Sequence, residues 1–192
     1  PGKKGVLFVK SEQIMQGYYK REEATKEVLN DGWLDTGDIV IFTHSGELKI
    51  IGRAKETVVL LGGENIEPTP IEDKLKQSDA IDQVMVVGQD QKFLAAFIVP
   101  NEEFLEQFTK ERNLSYVDRQ DLLDHTEVQD YYHSEIGRLV GAKTGFKAFE
   151  RIFRFKLLTE EFTLGRELTH TLKVRRNVVN EKYAKELKEF FA

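Results

Sequence analysis

Residues 52–56 read Gly52-Arg53-Ala54-Lys55-Glu56, and the texture of the chain changes across them. Upstream, the sequence is strand and turn. Gly5 to Lys10 (GVLFVK) predicts a strand, Gly17-Tyr18-Tyr19 a loop, and Arg21 to Leu29 a short helix with Glu23 and Glu27 facing solvent. Asp31-Gly32 is a turn signal. Asp38 to Phe42 and Glu47 to Ile51 flank Thr43-His44-Ser45-Gly46. Two apolar runs around a short polar turn with glycine predict a hairpin.

Downstream, helices alternate with strands. Thr57 to Leu61 predicts a strand ending in Gly62-Gly63. Pro68 and Pro70 precede a predicted helix in which Ile71 and Leu75 share a face. Gln83 to Val87 and Phe93 to Val99 predict two more strands. Asn101 and Asp118 are expected N-caps, the first followed by Glu102 and Glu103. Val128 to Val140 carries helical spacing through Tyr132, Ile136 and Leu139 or Val140. Phe153, Phe155 and Leu157 alternate with Arg154 and Lys156, which predicts a strand with one wet face. Asn177 to Phe191 predicts one amphipathic helix with Val179, Tyr183, Leu187 and Phe190 as its apolar stripe. The expected class is α+β, with a boundary at 52–56.

Bulk properties narrow the function classes. The chain has 192 residues, 40% of them hydrophobic, enough to bury a core. Its net charge of −5 argues against nucleic acid, whose phosphates recruit clustered Lys and Arg. There are no cysteines, so disulfides, thiolate zinc sites and cysteine nucleophiles are excluded. The longest apolar run, Phe93 to Val99, is far short of the roughly 18 residues a membrane span needs. His44, His125, His133 and His170 lack ligand spacing, so no structural metal is expected. The phenylalanine-rich stretch from Phe146 to Phe162 is read as core or interdomain packing. The opening Pro-Gly, followed at once by a strand, suggests a piece cut from something longer.

Three segments are more specific than the rest. The first is Gly32-Trp33-Leu34-Asp35-Thr36-Gly37-Asp38. The second is Gly52-Arg53-Ala54-Lys55-Glu56, continuing through Gly62-Gly63-Glu64-Asn65-Ile66-Glu67-Pro68 to Ile71-Glu72. The third is Thr169-His170-Thr171-Leu172-Lys173-Val174-Arg175-Arg176. In this order they resemble the late motifs of the adenylate-forming superfamily: acyl-CoA synthetases, luciferases and peptide-synthetase adenylation domains. Gly17-Tyr18-Tyr19-Lys20 with Ala24-Thr25 is similar to the stretch preceding the first motif. The resemblance runs over nearly the whole chain and favours the long-chain fatty acid branch. The Gly-Gly-Glu-Asn-Ile run, the helical insertion 101–150 and the Thr-x-Thr-x-Lys form of the last motif carry that preference. Short-chain members usually place Gly before the lysine and Pro two residues before that Gly. Here those positions hold Leu172 and His170.

The resemblance implies a role for each residue, and each has a plainer reading. Asp38 would grip the 2′ and 3′ hydroxyls of ATP, since a carboxylate accepts two hydrogen bonds from a vicinal diol. Spacing alone favours a turn aspartate satisfying backbone amides, and the accompanying motifs reverse that preference. Arg53 would contact the same ribose through its fork of donors. The alternative is a surface pair with Glu47 or Glu56, worth about 0–1 kcal/mol. Lys55 occupies the position of the family's hinge; by itself it is simply an exposed lysine. Gly62, Gly63 and Glu64 would form a loop lining the pantetheine tunnel in the thioester step, or an ordinary glycine turn. Lys173 would stabilise the charge that builds on the α-phosphorus during adenylation. Otherwise it is a solvated lysine in a basic patch with Arg175 and Arg176.

The implied organisation is 1–54 as the β-rich end of a large N-terminal domain and 55–192 as a small α+β lid that moves. The implied parent enzyme joins a long-chain fatty acid to coenzyme A through acyl-AMP, using ATP and Mg²⁺. No Ser/Thr/Gly-rich phosphate loop occurs here, so the chain alone is expected to be inactive. The expected partners are ATP or AMP, CoA and fatty acid, with no nucleic acid. Peripheral membrane association of the parent and a homodimer through exposed N-terminal strands complete that list. The expected location is cytoplasmic or peripheral to a membrane. Two other functions remain open: a self-standing binding module, and a peptide-synthetase-like domain feeding a carrier protein.

Overall fold

The structure, a computed structural model, describes residues 3–192 and divides into a unit ending at Thr57 and a unit beginning at Val58. The first unit holds β1 (Lys4–Val9), α1 (Glu22–Val28), β2 (Leu29–Asn30), β3 (Trp33–Phe42) and β4 (Leu48–Arg53). β3 is the spine, antiparallel to β1, β2 and β4. It begins at Trp33, not Asp38, so Thr36-Gly37-Asp38 lies inside the strand. The hairpin of β3 and β4 is closed by Thr43 N–H donating to Glu47 O at 2.8 Å and Gly46 N–H to Thr43 O at 3.1 Å. Ile39 and Val40 are buried.

The second unit opens with a small hairpin, β5 (Val58–Val59) and β6 (Asn65–Ile66). This ladder is shorter than the expected strand 57–61. Leu60 leaves it to close a turn, accepting from Gly63 N–H and donating to Glu64 O. Helix α2 (Pro68–Leu75) includes both prolines instead of following them. The first N–H groups of a helix have no intrahelical partner, so proline in the first turn loses nothing.

The core is built on β8 (Leu94–Pro100), which pairs antiparallel with β7 (Ile81–Val87) and parallel with β9 (Ile152–Leu157). Every residue of β8 is buried. Leu94, Ala96 and Ile98 join one apolar cluster, which takes in side chains of α2, α3 (Glu102–Arg112), α4 (Arg119–Asp124) and α5 (Thr126–Val140). Ala95, Phe97 and Val99 join another, with α6 (Arg176–Lys182), α7 (Ala184–Phe191), Phe162 and Leu168. A strand covered on both faces reads as a continuous apolar run, which explains 93–99. The parallel β8–β9 pair needs a long crossover, and α3 to α5 supply it.

Asn101 and Asp118 cap as expected: their side chains accept from Phe104 N–H at 2.8 Å and Asp121 N–H at 2.9 Å. Tyr132 is wholly buried, and its hydroxyl donates to Ala80 O at 2.7 Å, tying α5 to the start of β7. Burial pushes its phenol well up from the ordinary tyrosine range.

Two expectations about the C-terminal half are corrected. The β8–β9 register skips Phe153, which stands 64% exposed against the ring of Phe93 while Ile152, Phe155 and Leu157 meet the core. A bulge shifts the alternation by one residue. The helix over 177–191 breaks at Tyr183, whose φ of −106° and ψ of 31° end α6. Its apolar stripe survives, with Val179, Tyr183, Leu187 and Phe190 all on the second cluster. Tyr183 and Phe190 both lie against Phe97, at ring separations of 5.3 and 5.1 Å. Among the described residues no helix is long and apolar enough to cross a membrane.

Candidate functional site

Within β3, opposite the register shift in β1, Asp35-Thr36-Gly37-Asp38 forms a tight turn-like bulge built by its own side chains. The Asp35 carboxylate accepts from Gly37 N–H at 2.8 Å, and the Thr36 hydroxyl accepts from Asp38 N–H at 3.1 Å. That hydroxyl also donates to Leu7 O on β1 at 2.9 Å. Gly37 has a φ of +68°, which a side chain rarely tolerates, and a Cβ there would sit 3.5 Å from Arg53 Nη2. The local sequence therefore presents the Asp38 carboxylate at a fixed place on the strand.

Arg53 is the direct cross-strand partner of Asp38. Its Nε lies 3.3 Å from Asp38 Oδ1, and its Nη2 donates to Thr36 O at 3.0 Å. Arg53 thus pairs with Asp38 and not with the expected alternatives, Glu47 or Glu56. The two side chains are 49% and 28% exposed. An ion pair this wet adds about 0–1 kcal/mol, so stability is a weak reason for it. A carboxylate steadied on one oxygen, beside a fork with donors to spare, is suited to a vicinal diol. Lys55 follows two residues later, exposed, in a single 3-10 turn over Ala54–Glu56.

In the second unit, Gly62 and Gly63 form the tip between β5 and β6. Gly63 has a φ of +86°, and a Cβ on Gly62 would fall 2.4 Å from Glu64 Oε2. Leu61 N–H donates to Gln91 O and Asp90 N–H to Val59 O, both at 2.9 Å, which fastens this hairpin to the turn between β7 and β8. Gly62 and Gly63 are exposed, and Glu64 is partly so.

Lys173 lies on a second hairpin. Arg175 N–H donates to Glu167 O at 2.7 Å, and Thr169 N–H donates to Lys173 O at 2.9 Å. The tip, residues 170–172, closes with Leu172 N–H on Thr169 O, and Lys173 N–H donates to the Thr169 hydroxyl at 3.1 Å. Lys173 is exposed at the start of the returning arm. Leu172 takes a left-handed φ of +60° and is 70% exposed. Leu172→Gly should remove a left-handed cost of about 1–2 kcal/mol and forfeit about 0.5–1 kcal/mol of chain entropy. The expected result is an unchanged or slightly raised urea midpoint; a clear loss of stability would contradict the strain.

The second unit also holds two ion pairs, each built on a buried carboxylate, that no sequence expectation named. Glu72 and Arg176 bond bidentately at 2.6 and 2.7 Å, with Glu72 Oε1 also accepting from Val86 N–H at 2.8 Å and Arg176 Nη1 donating to Val86 O at 2.9 Å. Glu167, 3% exposed, accepts from the Thr163 N–H and hydroxyl and from Lys182 Nζ, each at 3.0 Å. Burial would raise the Glu167 carboxyl, yet these donors outweigh it and hold it at about 2. Glu72 and Arg176 close the second and third motifs, but nothing in the sequence pairs them; Glu167 and Lys182 lie on either side of the third. Among the described residues no group of three or more His, Cys, Asp or Glu side chains is placed to hold a metal ion.

Comparison with known proteins places this arrangement. The family model for the AMP-binding enzyme C-terminal domain matches residues 55–192. The probable acyl-activating enzyme 16, chloroplastic, of Arabidopsis thaliana is 35% identical over the whole chain, which covers 27% of that protein. The long-chain-fatty-acid–CoA ligase FadD15 of Mycobacterium tuberculosis is 35% identical over 97% of the chain, covering 31% of the relative. The chain thus spans under a third of the length of these relatives. The A domain of the carboxylic acid reductase from Segniliparus rugosus, solved with AMP and a co-purified carboxylic acid, matches 98% of the chain and 28% of its own, with a TM-score of 0.81 and 26% identity. An α+β fold, the late motifs in order and a family model over most of the chain agree: this chain belongs to the AMP-binding enzyme C-terminal domain family of adenylate-forming enzymes.

Proposed function

We propose that the chain is the carboxy-terminal part of an ATP-dependent long-chain fatty acid CoA ligase. The observation that carries this reading is the cross-strand pair of Asp38 and Arg53, an exposed ion pair held in place by the Thr36-Gly37 turn and shaped for a ribose diol. In this reading 1–54 ends the adenylation domain and 55–192 is the lid. Asp38 accepts from the two ribose hydroxyls of ATP, and Arg53 steadies both carboxylate and sugar. Lys55 is the hinge, where a change of φ and ψ reorients the lid between half-reactions.

Lys173 serves the first half-reaction. As the fatty carboxylate attacks the α-phosphorus and pyrophosphate leaves, its ammonium meets charge that is greater in the transition state than in the ground state. Gly62, Gly63 and Glu64 serve the second, where a backbone without side chains lets the pantetheine thiol approach the acyl carbonyl and AMP depart. ATP would supply the adenylyl group, and Mg²⁺, when bound, would offset the charge of the departing pyrophosphate; no residue of this chain is assigned to the metal. The names of the relatives support the fatty acid.

The 192-residue chain alone should form no palmitoyl-CoA above background from ATP, CoA and palmitate, whereas the full-length protein should form it. Turnover by the isolated chain would overturn the division of labour. A carrier-bound pantetheine as acceptor is a second reading. One 35% identical relative is named a long-chain-fatty-acid–[acyl-carrier-protein] ligase, and the matching reductase domain is also known joined to a carrier domain.

A further inference from the structure

We propose that Glu167, held by Lys182, is the positioning residue that sets the Lys173 hairpin for adenylation. The inference rests on the reading of Lys173 given above. The hairpin has two arms, 167–169 outgoing and 173–175 returning, joined by the Glu167–Arg175 and Thr169–Lys173 backbone bonds. Lys173 itself is exposed, and Thr169, across the hairpin, holds its backbone at both N–H and C=O. The base of the hairpin is held by buried Leu168, whose N–H donates to Thr163 O at 3.0 Å, by the Arg175 guanidinium on Arg166 O at 3.1 Å, and by the Glu167 side chain, which reaches Lys182 of α6 from the outgoing arm. Its Oε2 takes two bonds from Thr163, and its Oε1 takes one from Lys182 at the end of α6. Helix α6 begins where the returning arm stops, and its Val179 is wholly buried in the second core cluster. The carboxylate therefore staples the outgoing arm to the anchored helix that continues the returning one. Glu160 completes the cluster, 2.9 Å from Lys182 Nζ.

A carboxylate with 3% exposure and three donors is a costly way merely to hold a surface loop. Packed hydrophobic residues would serve equally well for stability, but they would not fix the direction of the arms. A displacement of about 1 Å at a reacting group costs on the order of 10²-fold in rate. Glu167→Gln keeps the size of the side chain and the Thr163 bonds on one oxygen but loses the charge that Lys182 binds.

The test separates the half-reactions in the full-length ligase, together with Lys173→Ala. Fatty-acid-dependent ATP–pyrophosphate exchange reads the first, and thioester formation from supplied acyl-adenylate reads the second. For Glu167→Gln we expect exchange to fall about 10- to 100-fold with the second step within twofold and KM for ATP little changed. Lys182→Met should show the same split, and Thr163→Ala a milder one. If Glu167→Gln does not fold, the other two variants decide. Equal losses in both steps would mark Glu167 as purely structural and overturn the proposal. Unchanged exchange in these variants, with exchange lost in Lys173→Ala, would overturn it while leaving the lysine reading intact. Unchanged exchange in Lys173→Ala would remove the lysine reading itself.

Discussion

Lys173→Ala is expected to slow acyl-adenylate formation by about 10²- to 10³-fold, the usual loss when one donor to developing charge is removed. Thioester formation from supplied acyl-adenylate should change far less, because no phosphorus reacts in that step. The asymmetry follows from position as well as charge. Lys173 is exposed on the returning arm of a hairpin, with a backbone fixed at both its N–H and its C=O by Thr169. Such a lysine contributes little to folding, so its loss should leave the urea midpoint nearly unchanged. A variant that slowed both steps alike would mean that the side chain serves the fold. Full activity would mean that it serves only solubility.

Glu72→Ala should weaken the fold severely. The carboxylate is 10% exposed and bonds Arg176 through both oxygens, while accepting from Val86 N–H. Removing it takes a bidentate counter-charge from a guanidinium that is only 19% exposed, and the acceptor from Val86 N–H. Breaking a buried pair from one side costs about 3–5 kcal/mol, a large part of the stability of any small domain. The pair also covers the outer edge of β7. Val86 faces Ala96 of β8 on one side, and on the other its N–H and C=O meet Glu72 and Arg176. The urea midpoints of wild type and variant check this; a cost below about 1 kcal/mol would show the pair to be wetter than it stands here.

Much of the fold was legible from local signals. The all-apolar run of β8 announced a strand covered on both faces, and Asn101 and Asp118 marked two helix starts. What failed depended on pairing. The bulge that exposes Phe153 is a property of the β8–β9 register, invisible in a stretch that alternates cleanly on its own. The spacing of Ile71 and Leu75 predicts a helix after Pro68 and Pro70, whereas the helix takes both prolines in. Its first turn is the place where proline's missing N–H costs nothing.

The site divides in the same way. Thr36-Gly37-Asp38 builds a local turn, so sequence pointed to it. That Arg53 would stand opposite Asp38 required the hairpin register, for which Glu47 and Glu56 were competing partners. Glu72 and Arg176 lie 104 positions apart, and Glu167 meets Lys182 across 15. No spacing rule joins such residues before the chain has folded.

The central claim is that Asp38 holds the sugar of ATP. Palmitate-dependent ATP–pyrophosphate exchange, measured against ATP concentration for the full-length protein and its Asp38→Ala variant, tests it most directly. A charge-assisted pair of hydrogen bonds is worth about 1.5–3 kcal/mol each, so the account expects kcat/KM for ATP to fall at least about 10-fold with protein that still folds. Equal kcat/KM for the two proteins would show that Asp38 only completes its own turn.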